Sequence, residues 1–212
     1  NFDENPNLNE NELIKYSGNS FNHLLKVARV KLEEEIILMD GKGTIGISKV
    51  LEINRKEIIL QFFSKKDYIK ASNLSLGICL TKKDYLDEIV RKATEVGYSK
   101  IYILLSDFSQ RYKVNNQRLH KIIESAGLQS NNPFWPTVEE GIHLKKFIEE
   151  NGNDIICFNN LKNNNKLDSI KNIKTLLIGP EGGFSSIENE FFIKKEIQQI
   201  KLPTPILKSS TA

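Results

Sequence analysis

The chain has 212 residues, enough for one larger domain or two small ones. Hydrophobic residues make up 39% and charged residues 27%, the balance of a soluble globular protein. A formal net charge of +3 excludes a chain that is basic throughout but leaves room for a local basic face. Cys79 and Cys157 lie far apart in the apolar runs "LGICL" and "IICF", so they read as buried free thiols in a reducing cytoplasm. No apolar run approaches the roughly 20 residues of a membrane helix. No secretory leader is visible, and a trimmed terminus is open at Asn1.

The first elements are small and mainly β. "SFNHLLKVARVK", residues 20–31, places Leu24, Leu25, Val27 and Ala28 at helical spacing and predicts a short helix. Three Ile-rich strands follow at residues 35–40, 44–53 and 57–63. "DGKG" turns between the first two, and Asn54-Arg55 gives a weaker turn between the others. The polar stretch "SKKDYIKASN", residues 64–73, reads as a domain boundary.

Beyond it the rhythm changes. "LSLGICL" is a nearly continuous apolar strand. The helix after it puts Leu86, Ile89, Val90, Ala93 and Val96 on one face. Thr81 and Asp84 predict its capping box, and Gly97 its stop. A strand at 100–105, helices at 116–128 and near 144–150, and strands in "DIICF", "TLLIG" and "IQQIKL" complete the pattern. Apolar strands alternating with helices predict an α/β domain with a mainly parallel sheet covered on both faces. The domains are residues 1–70 and 71–212.

One stretch asks for a function. "LLIGPEGGFSSIENEFF", residues 176–192, runs from a buried strand into a glycine turn and then a helix whose Ser185 and Glu188 are spaced as a capping box. Ligands of open α/β sheets sit beyond the carboxyl ends of strands, where glycine lets them approach the backbone. The spacing is neither the dinucleotide fingerprint nor a phosphate loop. On spacing alone the turn serves equally as a site or as a structural turn.

"IGPEGGFSSIE", residues 178–188, resembles the signature of the RsmE family of 16S ribosomal RNA methyltransferases, in the SPOUT superfamily. The resemblance continues in order through "HLLKVARVK" at 23–31, "RKATEVGYSKIYILLSDFSQR" at 91–111, "ESAGLQSNNP" at 124–133 and "LKSSTA" at 207–212. It implies a SPOUT-like trefoil-knot α/β domain preceded by a small PUA-like β-barrel that binds RNA. It also implies a cytoplasmic homodimer, a last knot helix past Ala212, and S-adenosylmethionine as cofactor. The reaction implied is methylation of N3 of one uridine in the 16S rRNA of the small ribosomal subunit, with no metal and no membrane.

Carried over residue by residue, the resemblance places the cofactor on Ile178, Gly179, Gly182, Leu202 and Leu207. Glu181, Arg111 and Lys208 are its catalytic candidates, and Arg29, Lys31 and Arg111 its RNA-binding ones. Each has a plainer reading. Glu181 holds the turn by bonding its N–H groups, Lys208 braces the cofactor loop, and the arginines face water. His23, His120 and His143 are isolated and read as structural. Trp135 stacks on a base or, given the flanking prolines, anchors a loop.

This chain also departs from the family pattern. Pro203, Pro205, Lys208 and Ser210 stand where the family has Gly, Arg, Arg and Glu, Asn131 and Asn132 follow Gln129-Ser130, and "CFNNL" lacks a Pro-Glu. Pro203 removes an N–H, and Lys208 keeps a charge without the bidentate fork. The preferred reading is a divergent active enzyme. The alternatives are a degenerate SPOUT-fold RNA-binding protein without methyl transfer and an unrelated α/β enzyme.

Overall fold

The computed structural model describes residues 9–70, 73–159 and 173–201. The chain divides into two compact units, residues 1–70 and 71–212.

In the first unit, β1 (Leu13–Ser17), β2 (Glu35–Met39), β3 (Thr44–Ile53) and β4 (Glu57–Asp67) form an antiparallel sheet in the order β1-β4-β3-β2. The tight turn at residues 40–43 forms as expected. The Asp40 carboxylate accepts the N–H groups of Lys42 at 2.7 Å and Thr44 at 2.9 Å. Inward positions alternate, with Ile14 and Tyr16 from β1 meeting Val50 from β3 and Ile58, Leu60 and Phe62 from β4. Register shifts at Ile47/Ser48 and Val50/Glu52 mark irregularities in the long β3–β4 pair. The expected helix divides into α1 (Gly18–Asn22) and a wider π-helical turn, His23–Ala28, ended by Arg29 in the left-handed conformation at φ 53°. Two features differ from the sequence reading. β1 is an added strand. β4 runs on to Asp67, past the expected end at residue 63, paired along β3 and pinned by Thr44 Oγ1 donating to Asp67 at 2.7 Å, while the division between the two units falls within the polar stretch, after Lys70.

The second unit carries six parallel strands in the order β10-β8-β9-β5-β6-β7. They are β5 (Ser75–Cys79), β6 (Lys100–Leu105), β7 (Thr137–His143), β8 (Ile155–Phe158), β9 (Thr175–Ile178) and β10 (Gln198–Ile200). Their two faces bury two clusters. On one, α2 (Lys83–Val96) and α3 (Asn116–Gln129) cover Ile78, Ile103 and Ile178. On the other, α4 (Leu144–Asn151) and α5 (Ser186–Lys194) cover Cys79, Leu104, Cys157 and Leu177. Neighbouring residues of the inner strands β5, β6, β8 and β9 thus serve opposite cores, which is why these four are largely apolar rather than alternating. Both cysteines are free and buried.

Three local expectations are corrected here. Val96 is 76% exposed, and Thr94, fully buried, takes its place. At about 100° per residue Val96 falls at the edge of the α2 face on the last residue before Gly97. The Thr81–Asp84 box does not form. The helix starts one residue later than the spacing requires, with Lys82 as N-cap, whose ammonium has no acceptor to offer, and the Thr81 hydroxyl donates to Lys82 O instead. Strand β7 is the third, unread because it is a polar edge strand broken by a bulge at Gly141, φ 76°. The Gly97 stop stands, at φ 91°.

Candidate functional site

Because all six strands run the same way, the loops after β5, β6 and β9 leave from one end of the sheet, and β9 lies beside β5 in the middle. The loop after β9 is the glycine turn. Gly183 N–H donates to Pro180 O at 2.9 Å, and Gly183 takes φ 73°. Gly179 is buried, and a Cβ there would stand 2.9 Å from the Phe184 ring. Phe184 tucks back beneath the turn and meets Phe192 edge-on at 4.8 Å. Gly179 therefore admits Phe184, not a ligand, at its Cβ position. Gly182 is exposed, and its nearest neighbour is the Phe108 side chain, 3.5 Å from an added Cβ.

Two acids lock this turn to its neighbours. Glu181 is exposed, and its Oε1 accepts the Lys82 N–H at 3.1 Å. Its bond is thus to the exit of β5, 99 residues away, and not to its own turn as the sequence suggested. Glu188, 2% exposed, completes the expected capping box by accepting the Ser185 N–H at 2.9 Å. Its other oxygen accepts the Asp107 N–H at 2.9 Å, from the loop after β6. Ser185 Oγ returns a bond to the Asp107 carboxylate. A buried carboxylate is tolerated at this helix N-terminus because N–H groups surround it.

The β5 exit is held from the β6 loop as well. Gln110 N–H donates to Leu80 O at 2.9 Å, and the Tyr112 hydroxyl to Thr81 O at 2.8 Å. Burial, with the nearby Asp87 and Glu181 charges, pushes the Tyr112 phenol up to about 12, so it stays a donor.

Of the residues singled out from sequence, Ile178, Gly179, Glu181 and Gly182 come together at this rim. Arg111 is exposed in the adjoining β6 loop. Arg29 and Lys31 are exposed in the first unit, and no salt bridge among the described residues uses them or Arg111. Leu202, Leu207 and Lys208, with Pro203, Pro205 and Ser210, lie outside the described residues. Trp135 packs on the first core and donates to Asn132 O at 3.1 Å, as a loop anchor does. No group of three or more metal-ligating side chains occurs among the described residues. No helix among them is long and apolar enough to cross a membrane. The sequence reading missed Phe108, Tyr112 and the second role of Glu188. Phe108 alone carried a signal, as an apolar residue in the polar loop "SDFSQR".

The donors at this rim suit a neutral adenosyl group. The N–H groups of the backbone donate and its C=O groups accept, beside the exposed Gly182 and with apolar Ile178 next to the turn.

Residues 69–212 match the RNA methyltransferase domain family, and residues 16–63 the RNA methyltransferase PUA domain. The ribosomal RNA small subunit methyltransferase E of Rickettsia conorii is 29% identical, over 98% of this chain and 89% of its own. That of Aquifex aeolicus is 27% identical, over 88% and 85%. Among solved structures, the ribosomal RNA small subunit methyltransferase E of Neisseria gonorrhoeae, bound to S-adenosyl methionine, superposes with a TM-score of 0.85. It is 23% identical and is matched over 97% of this chain and 90% of that one.

Proposed function

Because the chain belongs to the RsmE family of RNA methyltransferases, we propose that it transfers a methyl group from S-adenosylmethionine to N3 of a uridine in 16S rRNA of the small ribosomal subunit. The observation that carries this reading is the rim itself. The loops after β5 and β6 are locked to the glycine turn and its helix by Glu181 and Glu188, at the place where open α/β sheets take their ligands.

The cofactor, when bound, supplies an electrophilic methyl on a sulfonium. Ile178, Gly179 and Gly182 hold the adenosyl part through backbone groups and apolar contact, helped by Leu202 and Leu207. Glu181 braces the loop and keeps the β5 and β9 exits together. Uracil N3 carries a proton and is a poor nucleophile until that proton passes to solvent water. Lys208 favours the developing anion by its charge, and alignment of N3 supplies much of the rest. Arg29, Lys31 and Arg111 hold RNA phosphates, which position without reading sequence. Residues 1–70 act as the RNA-binding domain and 71–212 as the catalytic one, in a cytoplasmic homodimer that works without a metal.

The test is methyl transfer from labelled cofactor to small subunits lacking the modification, with calorimetry of cofactor binding beside it. Label at one uridine N3 is the expected result. Heat of binding without transfer would point to the wrong substrate. Neither heat nor transfer would establish the second reading, an RNA-binding relative with a dead pocket, which the Pro203 and Ser210 departures favour.

A further inference from the structure

We propose that Phe108 is the platform on which the target base stacks, an assignment that rests on the methyl-transfer reading above. Its side chain is 53% exposed, in the loop after β6. An exposed phenyl on a loose loop would say little, but this loop is held at both sides of the ring. Asp107 N–H donates to the buried Glu188 carboxylate at 2.9 Å, and the Asp107 carboxylate accepts from Ser185 Oγ. On the other side, Ser106 N–H donates to Ser109 Oγ at 3.0 Å, and the two serine hydroxyls lie 2.9 Å apart. The ring is therefore presented to solvent by a fixed backbone.

Its position is equally specific. A Cβ at Gly182 would lie 3.5 Å from the Phe108 Cβ and 3.7 Å from the ring carbon Cδ2. A methyl at 182 would rest in ordinary van der Waals contact with the ring, and glycine leaves that part of it uncovered. The aromatic face thus stands at the turn that the proposed function gives to the cofactor.

The chemistry asks for such a group. A base methylated at N3 must leave its pairing and present that edge to the reaction. Stacking on a phenyl holds the base by its π-face and leaves the Watson–Crick edge free, because phenylalanine has neither donor nor acceptor. Arg111, exposed three residues on, supplies a cation for the neighbouring phosphate.

The experiment compares wild type, F108A, F108L and F108W in methyl transfer to small subunits lacking the modification, in cofactor calorimetry and in sedimentation. F108A is expected to raise KM for the subunits about tenfold, in line with the loss of one base–aromatic stack. Cofactor affinity and oligomeric state should stay as in wild type. F108L, apolar but without a π-face, should behave as F108A, and F108W should restore KM. A wild-type KM in F108L would overturn the proposal, since apolar packing would then suffice. So would loss of cofactor affinity in step with the rate, or a change of oligomeric state, which would make the ring a contact between copies. If the wild-type protein transfers no methyl, the proposed reaction falls by itself. Stacking is then decided by fluorescence with an oligouridylate. Quenching in F108W beyond that of the native Trp135 supports it, and none refutes it.

Discussion

Glu188 shows how much one residue does here. As the third residue of α5 it reads in the sequence as half of a capping box, and it forms one. Its second oxygen ties the glycine turn to Asp107. Glutamine keeps the shape but offers one acceptor where two N–H donors point, so one donor is left unpaired. Glu188→Gln is expected to lower stability by about 1–3 kcal/mol. Denaturant midpoints measure this. Cofactor affinity should fall with it, since both loops at the rim lose a tether. A variant as stable as wild type would mean that the loops are held by Ser185 and Asp107 alone.

Among elements, α3 and the segment after it are coupled through Asn132, a residue the sequence marked only as a departure from the family pattern. Its side chain donates to Thr94 O in α2 at 2.8 Å and accepts the Phe134 N–H at 3.0 Å. Its backbone N–H donates to Gly127 O at 2.9 Å. Trp135 then lies over Gly127 so closely that a Cβ there would stand 2.1 Å from Nε1. Asn132→Ala removes the side-chain acceptor of the Phe134 N–H and one of the two donors to the Thr94 carbonyl, which keeps the Gly97 N–H at 3.2 Å. The expected loss is about 1–3 kcal/mol, the net worth of two hydrogen bonds. Emission of the single tryptophan should shift to the red as Trp135 loosens. An unshifted spectrum would show that the ring is held by the core without the asparagine.

Over the whole molecule, the two-faced sheet of the second unit carries a pH liability. Burial, with the Glu188 charge adding, pushes the Cys79 thiol from its ordinary 9.0 to about 12. Burial raises Cys157 well above its ordinary value too. The folded state therefore holds both protons at pH values where the unfolded chain releases them. Their stabilisation is complete below pH 9 and is lost as pH rises toward 12. The limiting slope is about 1.4 kcal/mol per pH unit for each thiol. Calorimetry of the wild type and a Cys79→Ala, Cys157→Ala double variant between pH 8 and 10.5 should show a steeper fall in the wild type. Parallel profiles would mean that other groups govern the alkaline limit. At neutral pH both thiols should resist alkylation until the unit unfolds.

Local hydrogen bonding and backbone preference account for whatever is settled within a few residues. The strand–turn–helix of residues 175–194, the Ser185–Glu188 box and the Gly97 stop are all local hydrogen-bond and φ requirements. The α/β class and the sheet covered on both faces were legible for a related reason, since burial from two sides demands apolar strands. The family signature at 178–188 marked the turn as a place to look. What the turn is joined to follows from contacts distant in the chain. Glu181 bonds a residue 99 positions away, and Glu188 one 81 positions away, and neither distance leaves a periodicity to read. The same holds for β1 and β7, short or polar strands that exist because β4 and β6 offer them backbone partners. A carboxylate shows its charge in the sequence, but which N–H groups it neutralises is set by the order of strands, and that order places the loops.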